Sequence, residues 1–264
     1  MGRLITGLLL ATGWFLLLFW GGFSLFCLVI GAGTVVALHE YVRMACKEIE
    51  KKHVPVILLI AIIPLLGAYL GGFSSVIAAI FLTLLGLITL TFVAYSSLKN
   101  SLDFLTRLWF GIFYIGFCGA HLILLRNLDQ GIFWLVFLTA ITIGSDSGAY
   151  YVGRLFGTTK LFPALSPGKT RAGAYGGIIG GMLGGTVVAA LLLQEFNLMI
   201  AVLLGLILSC IGIVGDLAES LIKRASDVKD SGQILPGHGG VLDRIDSLLL
   251  TAPALYYLLH WGVS

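Results

Sequence analysis

Charged side chains are scarce in this chain, and their scarcity excludes a water-soluble fold. Asp, Glu, Lys and Arg together make up 11% of the 264 residues, whereas hydrophobic residues make up 58%. Between Val54 and Leu98 no charged residue occurs. Because a soluble domain cannot expose so apolar a surface, the mean hydropathy of +1.03 predicts an all-α, polytopic integral membrane protein. We expect one membrane domain over residues 1–264, with N-terminal helices in 1–130 and catalytic helices and loops in 131–264.

Two further features are absent from the sequence: a cysteine motif for metal binding and a signal-peptide cleavage site. The four cysteines form no Cys-x-x-Cys pair and no Cys/His ligand spacing, so we interpret them as small apolar packing residues. The N-terminus has the basic start and apolar run of a signal peptide, but no small-residue cleavage site with a polar flank follows. We therefore expect the first helices to be retained.

Interruptions in the apolar pattern predict about nine membrane spans, since a spanning helix needs roughly 20 apolar residues. The predicted spans are two within 4–38, hinged near Gly21-Gly22, and one each at about 54–72, 74–97, 104–125, 131–153, 173–193, 198–222 and 246–262. With the N-terminus in the cytoplasm, 15 of the 16 Lys and Arg residues fall in cytoplasmic segments, and only Arg126 falls outside. Because this bias follows the positive-inside rule, we expect a protein of the cytoplasmic (inner) membrane, with cytoplasmic active-site loops and the C-terminus outside.

Ionisable residues within the predicted spans are few, and each is a functional hypothesis because a charge inside a membrane is costly. Asp146 lies late in the sixth span, and Asp216 and Glu219 lie late in the eighth. The spacing of Asp216, Glu219, Ser220 and Lys223 places these four on one face of a helix. Simpler interpretations remain open: an internal salt bridge for the eighth-span carboxylates, and a local capping role for Asp146.

A polar loop from Ser220 to Asp246 holds eight charged residues in 27 positions and lies between two apolar runs. Its basic residues can neutralise phosphate oxygens, although basic residues beside a membrane also contact lipid headgroups. These basic residues are Lys223, Arg224, Lys229 and Arg244. Asp243 and Asp246 lie at the start of the ninth span. The sixth, eighth and ninth spans can therefore place carboxylates at the same depth in the membrane. Carboxylates near a phosphate substrate predict Mg²⁺, and two such ions can stabilise the attacking and leaving oxygens.

Two glycine-containing turns add candidate phosphate contacts. The turn Pro236-Gly237-His238-Gly239-Gly240 offers backbone amides that can form an anion-binding concavity, although a flexible turn with a solvated histidine fits equally well. A second polar loop precedes the seventh span and contains Lys169, which we retain as a candidate phosphate contact. The seventh span carries glycines at four-residue spacing from Gly173 to Gly185, which is typical of close helix packing.

Four blocks of the polar loop form one long signature. They are Ser220-x-Ile222-Lys223-Arg224, Lys229-Asp230-x-Gly232, Leu235-Pro236-x-His238-Gly239-Gly240 and Asp243-Arg244-x-Asp246. Weaker blocks lie upstream: Asp146, Ala149, Tyr150 and Gly153, then Ser166-Pro167 with Lys169-Thr170. Together these residues, from about 140 to 250, resemble the phosphatidate cytidylyltransferases, also called CDP-diacylglycerol synthases. One departure is Ala172, at a position where this family usually has glutamate.

The resemblance implies an all-helical membrane enzyme of phospholipid biosynthesis that uses Mg²⁺, in a two-metal site, and forms a homodimer. The implied reaction joins CTP and phosphatidic acid to give CDP-diacylglycerol and pyrophosphate, at the lipid bilayer and without a nucleic-acid partner. Asp216 and Asp246 would be the main metal ligands, with Asp243 and Glu219 in support. The residues implied in catalysis are Asp216, Lys223, Arg224, Lys229, Asp230, His238, Asp243, Arg244 and Asp246. Those implied in binding substrate or cofactor are Asp146, Ser166, Lys169, Glu219, Ser220, Gly239 and Gly240.

Other functional classes remain open at this point. An ion-coupled secondary transporter would suit intramembrane carboxylates, but such proteins tend to show internal repeats and midplane sites, and no repeat is visible in this sequence. A CTP-dependent lipid or polyprenol kinase could use a similar loop and would release CDP instead of pyrophosphate. A CDP-alcohol phosphotransferase is disfavoured because its spaced Asp-Gly, Ala-Arg, Gly, Asp, Asp pattern is absent. A purely structural role would leave function insensitive to substitution of Lys223 or Asp243.

Overall fold

The computed structural model describes residues 2–47, 49–234 and 239–262, and most of this length is helical. The α-helices are α1 (Gly2–Trp20), α2 (Phe23–Ala45), α3 (Val54–Ala94), α4 (Ser101–Gly111), α5 (Cys118–Arg126), α6 (Gly131–Phe156), α7 (Arg171–Leu192), α8 (Leu198–Ala225) and α9 (Leu242–Gly262). A π-helical segment, Ile112–Phe117, joins α4 to α5. Among the described residues, six helical segments are long and apolar enough to cross a membrane. The prediction of an all-α membrane protein is therefore confirmed.

The helix α3 is too long for a single span. Its 41 residues would extend about 60 Å if straight, about twice the thickness of a bilayer core. The helix breaks at Gly72, whose φ is 67° and ψ is −150°. Glycine adopts this backbone conformation readily because it has no Cβ. A Cβ on Gly67 would lie 2.8 Å from both Ala79 Cβ and Ser75 O. The two limbs of α3 therefore pack against each other as a helical hairpin that turns at Gly72.

The hinge predicted near Gly21-Gly22 is present, because α1 ends at Trp20 and α2 begins at Phe23. However, α2 continues to Ala45 instead of ending near residue 38. Its last turns include Glu40, which is only 4% exposed. The predicted boundary was too early because it followed the end of the apolar run, whereas the helix continues through Glu40, whose carboxylate is hydrogen-bonded within the protein.

The chain divides into two compact units. One, which we call the N-terminal unit, comprises residues 1–128 and 225–245, and the other, the C-terminal unit, comprises residues 129–224 and 246–264. The core of the N-terminal unit contains fully buried apolar side chains from α2, α3 and the α4–α5 segment, including Phe26, Ile57 and Ile115. In the C-terminal unit, Phe137 and Leu208 are fully buried. The prediction of one membrane domain stays a prediction.

In the C-terminal unit, α6 and α7 approach closely because glycines occupy both sides of their contact. A Cβ on Gly144 would clash with the carbonyl oxygen of Gly180, and a Cβ on Gly148 would clash with that of Gly176. The packing role predicted for the glycines of the seventh span is thus confirmed.

A short antiparallel hairpin of β1 (Lys160–Phe162) and β2 (Ser166–Thr170) connects α6 to α7. Only a polar loop was predicted here, and the short strands of this Pro- and Gly-containing segment lack the alternation typical of a strand. Thr170 ends β2 and caps α7, since its Oγ1 accepts a hydrogen bond of 3.0 Å from the N–H of Gly173. The hairpin and this cap hold Lys169 next to the N-terminus of α7.

Candidate active site

Three carboxylates of the C-terminal unit converge on one point. Asp216, Glu219 and Asp246 each offer a carboxylate oxygen, and these oxygens lie within 4.8 Å of one another. We call this group the carboxylate cluster. The first two residues are one turn apart on α8, as their spacing predicted, and Asp246 comes from α9. Among the residues that the structure describes, no other group of His, Cys, Asp and Glu has such metal-binding geometry.

Two lysines of the same unit lie against the carboxylate cluster. Lys169 Nζ lies 2.5 Å from Asp216 Oδ2, and Lys223 Nζ lies 2.7 Å from Glu219 Oε2. The salt bridge considered in the sequence analysis therefore forms for Glu219, whereas Asp216 pairs with the lysine of the β-hairpin. Three carboxylates and two ammonium groups leave a net charge of −1 when all five are ionised, which favours a cation.

Local hydrogen bonds orient the carboxylate of Asp246. Its Oδ1 accepts a hydrogen bond of 2.7 Å from the N–H of Ser247 and a weaker one of 3.3 Å from the Ser247 hydroxyl. Because both contacts hold one oxygen, the plane of the carboxylate is restricted. This restriction is typical of side chains that must present an oxygen in a defined direction.

A cavity of about 380 Å³ within the C-terminal unit reaches the carboxylate cluster at Asp216. Asp146 and Lys169 also line it, and so do apolar side chains that include Ile141 and Leu208. The volume lies in the range of small-molecule sites, which commonly combine apolar walls with a few polar groups. The cavity therefore offers charge for a phosphorylated group and apolar surface for a hydrocarbon chain.

The remaining predicted residues of the C-terminal unit lie on the elements around the cavity. Ser166 begins β2, and Ser220 is half-buried on α8. Arg224 is exposed, and its Nε donates a hydrogen bond of 3.4 Å to the carbonyl oxygen of Leu165.

In the N-terminal unit, Asp243 organises the polar loop that precedes α9. Its Oδ2 accepts hydrogen bonds from the N–H of Ser231, at 3.0 Å, and from the N–H of Gly240, at 2.8 Å. Gly239 has a φ of 80°, which favours glycine, and a Cβ there would lie 2.6 Å from the same oxygen.

The other predicted residues of this loop are exposed: Lys229, Asp230 and Arg244. His238, for which a phosphate-binding role was predicted, lies outside the described residues.

Glu40 is a buried polar residue that the sequence analysis missed. It lies on α2, and its carboxylate accepts hydrogen bonds from Ser231, Val241 and Leu242 of the same unit. A signal was available, because an acidic residue directly after an apolar run of helical length is a functional hypothesis. It was passed over because the span was ended before it.

The fold and the site together define a class of protein. The described helices form an integral membrane protein, and its carboxylates, lysines and cavity suit metal-dependent phosphate chemistry. The model of the cytidylyltransferase family matches residues 1–261. The chain belongs to this family, and the resemblance found in the polar loop is confirmed.

Three curated relatives named phosphatidate cytidylyltransferase are similar to this chain. The one from Bacillus subtilis is 36% identical, over 97% of this chain and 96% of its own length. The one from Staphylococcus epidermidis is 37% identical, over 66% of this chain and 68% of its own length. The one from Brucella suis is 45% identical, over 55% of this chain and 54% of its own length. The similarity therefore extends to the N-terminal helices, beyond the segment that carries the signature.

Proposed function

We propose that this chain is a membrane enzyme that transfers the cytidylyl group of CTP to phosphatidic acid. The products are CDP-diacylglycerol and pyrophosphate, as in phospholipid biosynthesis. The observation that carries this proposal is the carboxylate cluster with its two lysines, in a chain that belongs to the cytidylyltransferase family. Neither the transporter nor the kinase interpretation gains support from these relatives.

The transfer is a direct displacement at phosphorus. An oxygen of the phosphatidate phosphate attacks the α-phosphorus of CTP and forms a new P–O bond. The bond from that phosphorus to the oxygen bridging to the β-phosphorus breaks, and pyrophosphate leaves with the bonding electrons. Because the attacking oxygen is already an anion, no residue has to remove a proton. Catalysis then depends on positioning and on neutralising charge.

The carboxylate cluster suits Mg²⁺, because it gathers three hard oxygen donors within 4.8 Å of one another. Asp216 and Asp246 would hold the ion, with Glu219 in support. When bound, Mg²⁺ would neutralise negative charge on the phosphate oxygens of the nucleotide. A two-metal site and the ligand role of Asp243 stay predictions.

Lys169 and Lys223 are placed to bind phosphate oxygens. The side chain of Lys169 is 26% exposed and lines the cavity, but its Nζ is buried beside Asp216, so a phosphate bound at this carboxylate would lie within its reach. Lys223 is more enclosed, since its side chain is 15% exposed and paired with Glu219. We assign substrate phosphates also to the exposed Arg224, Lys229 and Arg244.

The lipid substrate enters from the bilayer, because its acyl chains cannot leave the hydrocarbon. The phosphate of phosphatidic acid would lie at the Lys169 end of the cavity. The first carbons of the chains would lie along partly exposed apolar residues such as Leu161 and Ile213, which line the same cavity. An opening between helices toward the inner leaflet would admit the chains.

We infer the topology from the charges and helices together. The hairpin in α3 supports two spans in place of one, and therefore supports the predicted number of about nine. An N-terminus and active-site loops in the cytoplasm of an inner-membrane protein follow from the distribution of Lys and Arg. A homodimer is implied by the family resemblance.

The decisive experiment is pyrophosphate release by purified protein in detergent with CTP, phosphatidic acid and Mg²⁺, each omitted in turn. Release should require all three. Alanine at Asp246 should abolish turnover while the protein stays folded and extractable, and an active Asp246→Ala enzyme would remove the assigned role of the carboxylate cluster. Release of CDP would indicate a kinase, and solute uptake by proteoliposomes without conversion would indicate a transporter.

A further inference from the structure

The carboxylate of Glu40 holds the end of the polar loop at the start of α9. Its Oε1 accepts a hydrogen bond of 3.0 Å from the N–H of Val241, and its Oε2 accepts one of 3.0 Å from the N–H of Leu242. The hydroxyl of Ser231 donates a third, of 3.2 Å, to Oε2. The first N–H groups of a helix have no partner within the helix. Glu40 supplies that partner from another helix, where the helix dipole also favours a negative charge.

Two signature glycines make room for this contact. A Cβ on Gly232 would overlap Glu40 Oε1, and a Cβ on Gly240 would overlap both Glu40 Oε2 and Ser231 Oγ. Any side chain at these positions would push the loop away from the carboxylate. The two glycines therefore allow the loop to approach Glu40 closely. This contact accounts for both glycines without a bound anion.

Asp243 completes the arrangement from within the loop. It accepts hydrogen bonds from the N–H groups of Ser231 and Gly240, so Ser231 contacts both carboxylates. The two acidic residues thus bind both ends of the segment from Ser231 to Leu242. Exposed Lys229 and Arg244 lie just outside these ends.

We infer that Glu40 is a positioning residue, which fixes the start of α9 and the neighbouring described residues of the polar loop, and with them Lys229 and Arg244, which the proposed function assigns to substrate phosphates. The inference rests on the proposed function for the role of those cations, and on the hydrogen bonds alone for the placement of the loop. Glu40 itself contacts no substrate. Its carboxylate is buried at 4% exposure and is engaged by three donors.

The test compares Glu40→Gln with a matched control, Thr34→Val, by hydrogen–deuterium exchange and by steady-state kinetics. Gln keeps the size of the side chain but removes its charge. One carboxylate oxygen, which accepts a hydrogen bond, becomes an NH₂ group, and this donor would face a loop group that is also a donor. Thr34 is also buried on α2 and bonds only to Ile30 O in its own helix. Both variants thus alter a buried polar side chain of α2, but only Glu40 contacts the loop.

Exchange at the amides of Val241 and Leu242 should be about tenfold faster in Glu40→Gln, the factor expected when a charge-assisted hydrogen bond is lost. It should be unchanged in Thr34→Val. The KM for CTP should rise about 10- to 100-fold in Glu40→Gln, as for residues that orient a site, while kcat changes less. Ser231→Ala, which removes one donor and leaves Glu40 intact, should show smaller effects of the same kind and serves if Glu40→Gln does not fold.

Unchanged exchange in Glu40→Gln would overturn the placement role. Faster exchange with kinetics equal to those of Thr34→Val would overturn the positioning role in catalysis. If the wild-type protein releases no pyrophosphate, the proposed function fails instead, and the exchange measurement still decides whether Glu40 holds the loop.

Discussion

Replacing Asp216 with asparagine should remove a stabilisation that Mg²⁺ gives to the wild-type protein. Two carboxylate oxygens 4.8 Å apart repel each other by about 3 kcal/mol at an effective dielectric constant of about 20. The carboxylate cluster contains three such pairs, and the lysines at Asp216 and Glu219 offset only part of this repulsion. A divalent cation should therefore bind the folded state and raise its stability.

The size of the effect follows from mass action. At a free Mg²⁺ concentration about 100 times its Kd, binding to the folded state alone adds about 2.7 kcal/mol. For a chain of this size each kcal/mol shifts the Tm by about 2–4 °C, so the wild-type Tm should rise by about 5–10 °C. Asp216→Asn should lose most of this rise, because one of the three carboxylates, and with it one negative charge, is gone.

A thiol-reactive dye suits the measurement in detergent. Cys46 and Cys118 are free and buried, so they react with the dye only on unfolding, whereas the exposed Cys210 sets the baseline. The matched control is Asp103→Asn, which also removes a carboxylate from an ion pair, with Arg107 at 2.9 Å. This control should keep the Mg²⁺-dependent rise.

The same variant should lose activity by about 100-fold or more, since even residues that only orient metal ligands cost about 10- to 100-fold when replaced. A wild-type Tm that ignores Mg²⁺, or an Asp216→Asn protein that keeps both the rise and the activity, would refute the metal-binding role of the cluster.

Two further substitutions test the phosphate contact of Lys169 and the packing of α6 against α7. Lys169→Ala should lower kcat/KM for phosphatidic acid at least about tenfold, as expected for one lost charge-assisted contact, and Lys160→Ala on the neighbouring strand should leave it near the wild-type value. Equal losses in both variants would contradict a specific phosphate contact. Gly180→Ala should lower the free energy of unfolding by about 1–3 kcal/mol in thermal unfolding, because its Cβ would overlap the carbonyl oxygen of Gly144. Gly33→Ala, whose Cβ has no neighbour within 4 Å, should stabilise α2 slightly, and a stable Gly180→Ala protein would contradict the tight contact of α6 and α7.

The helices were predictable because apolar runs of spanning length carry the information locally. The hinge at Gly21-Gly22 and the turn between the third and fourth predicted spans both agree with breaks in the structure. The end of α2 was not predictable from hydropathy, since the helix continues through charged residues and the carboxylate of Glu40 is satisfied by loop amides of the same unit. The β-hairpin was missed for a similar reason, because its strands are short and lack alternation.

The sequence by itself determined the class of protein, the family and the residue types available for chemistry. Scarce charge imposes a membrane environment, and helical spacing places Asp216 and Glu219 on one face without any knowledge of packing. Only the tertiary structure decided which groups meet. Lys169 pairs with Asp216 although helical spacing favours Lys223 of α8, and Glu40 binds an amide 201 residues away. Such contacts depend on how helices pack. The sequence periodicity of one helix shows which of its faces is apolar but does not indicate which other segment packs against it.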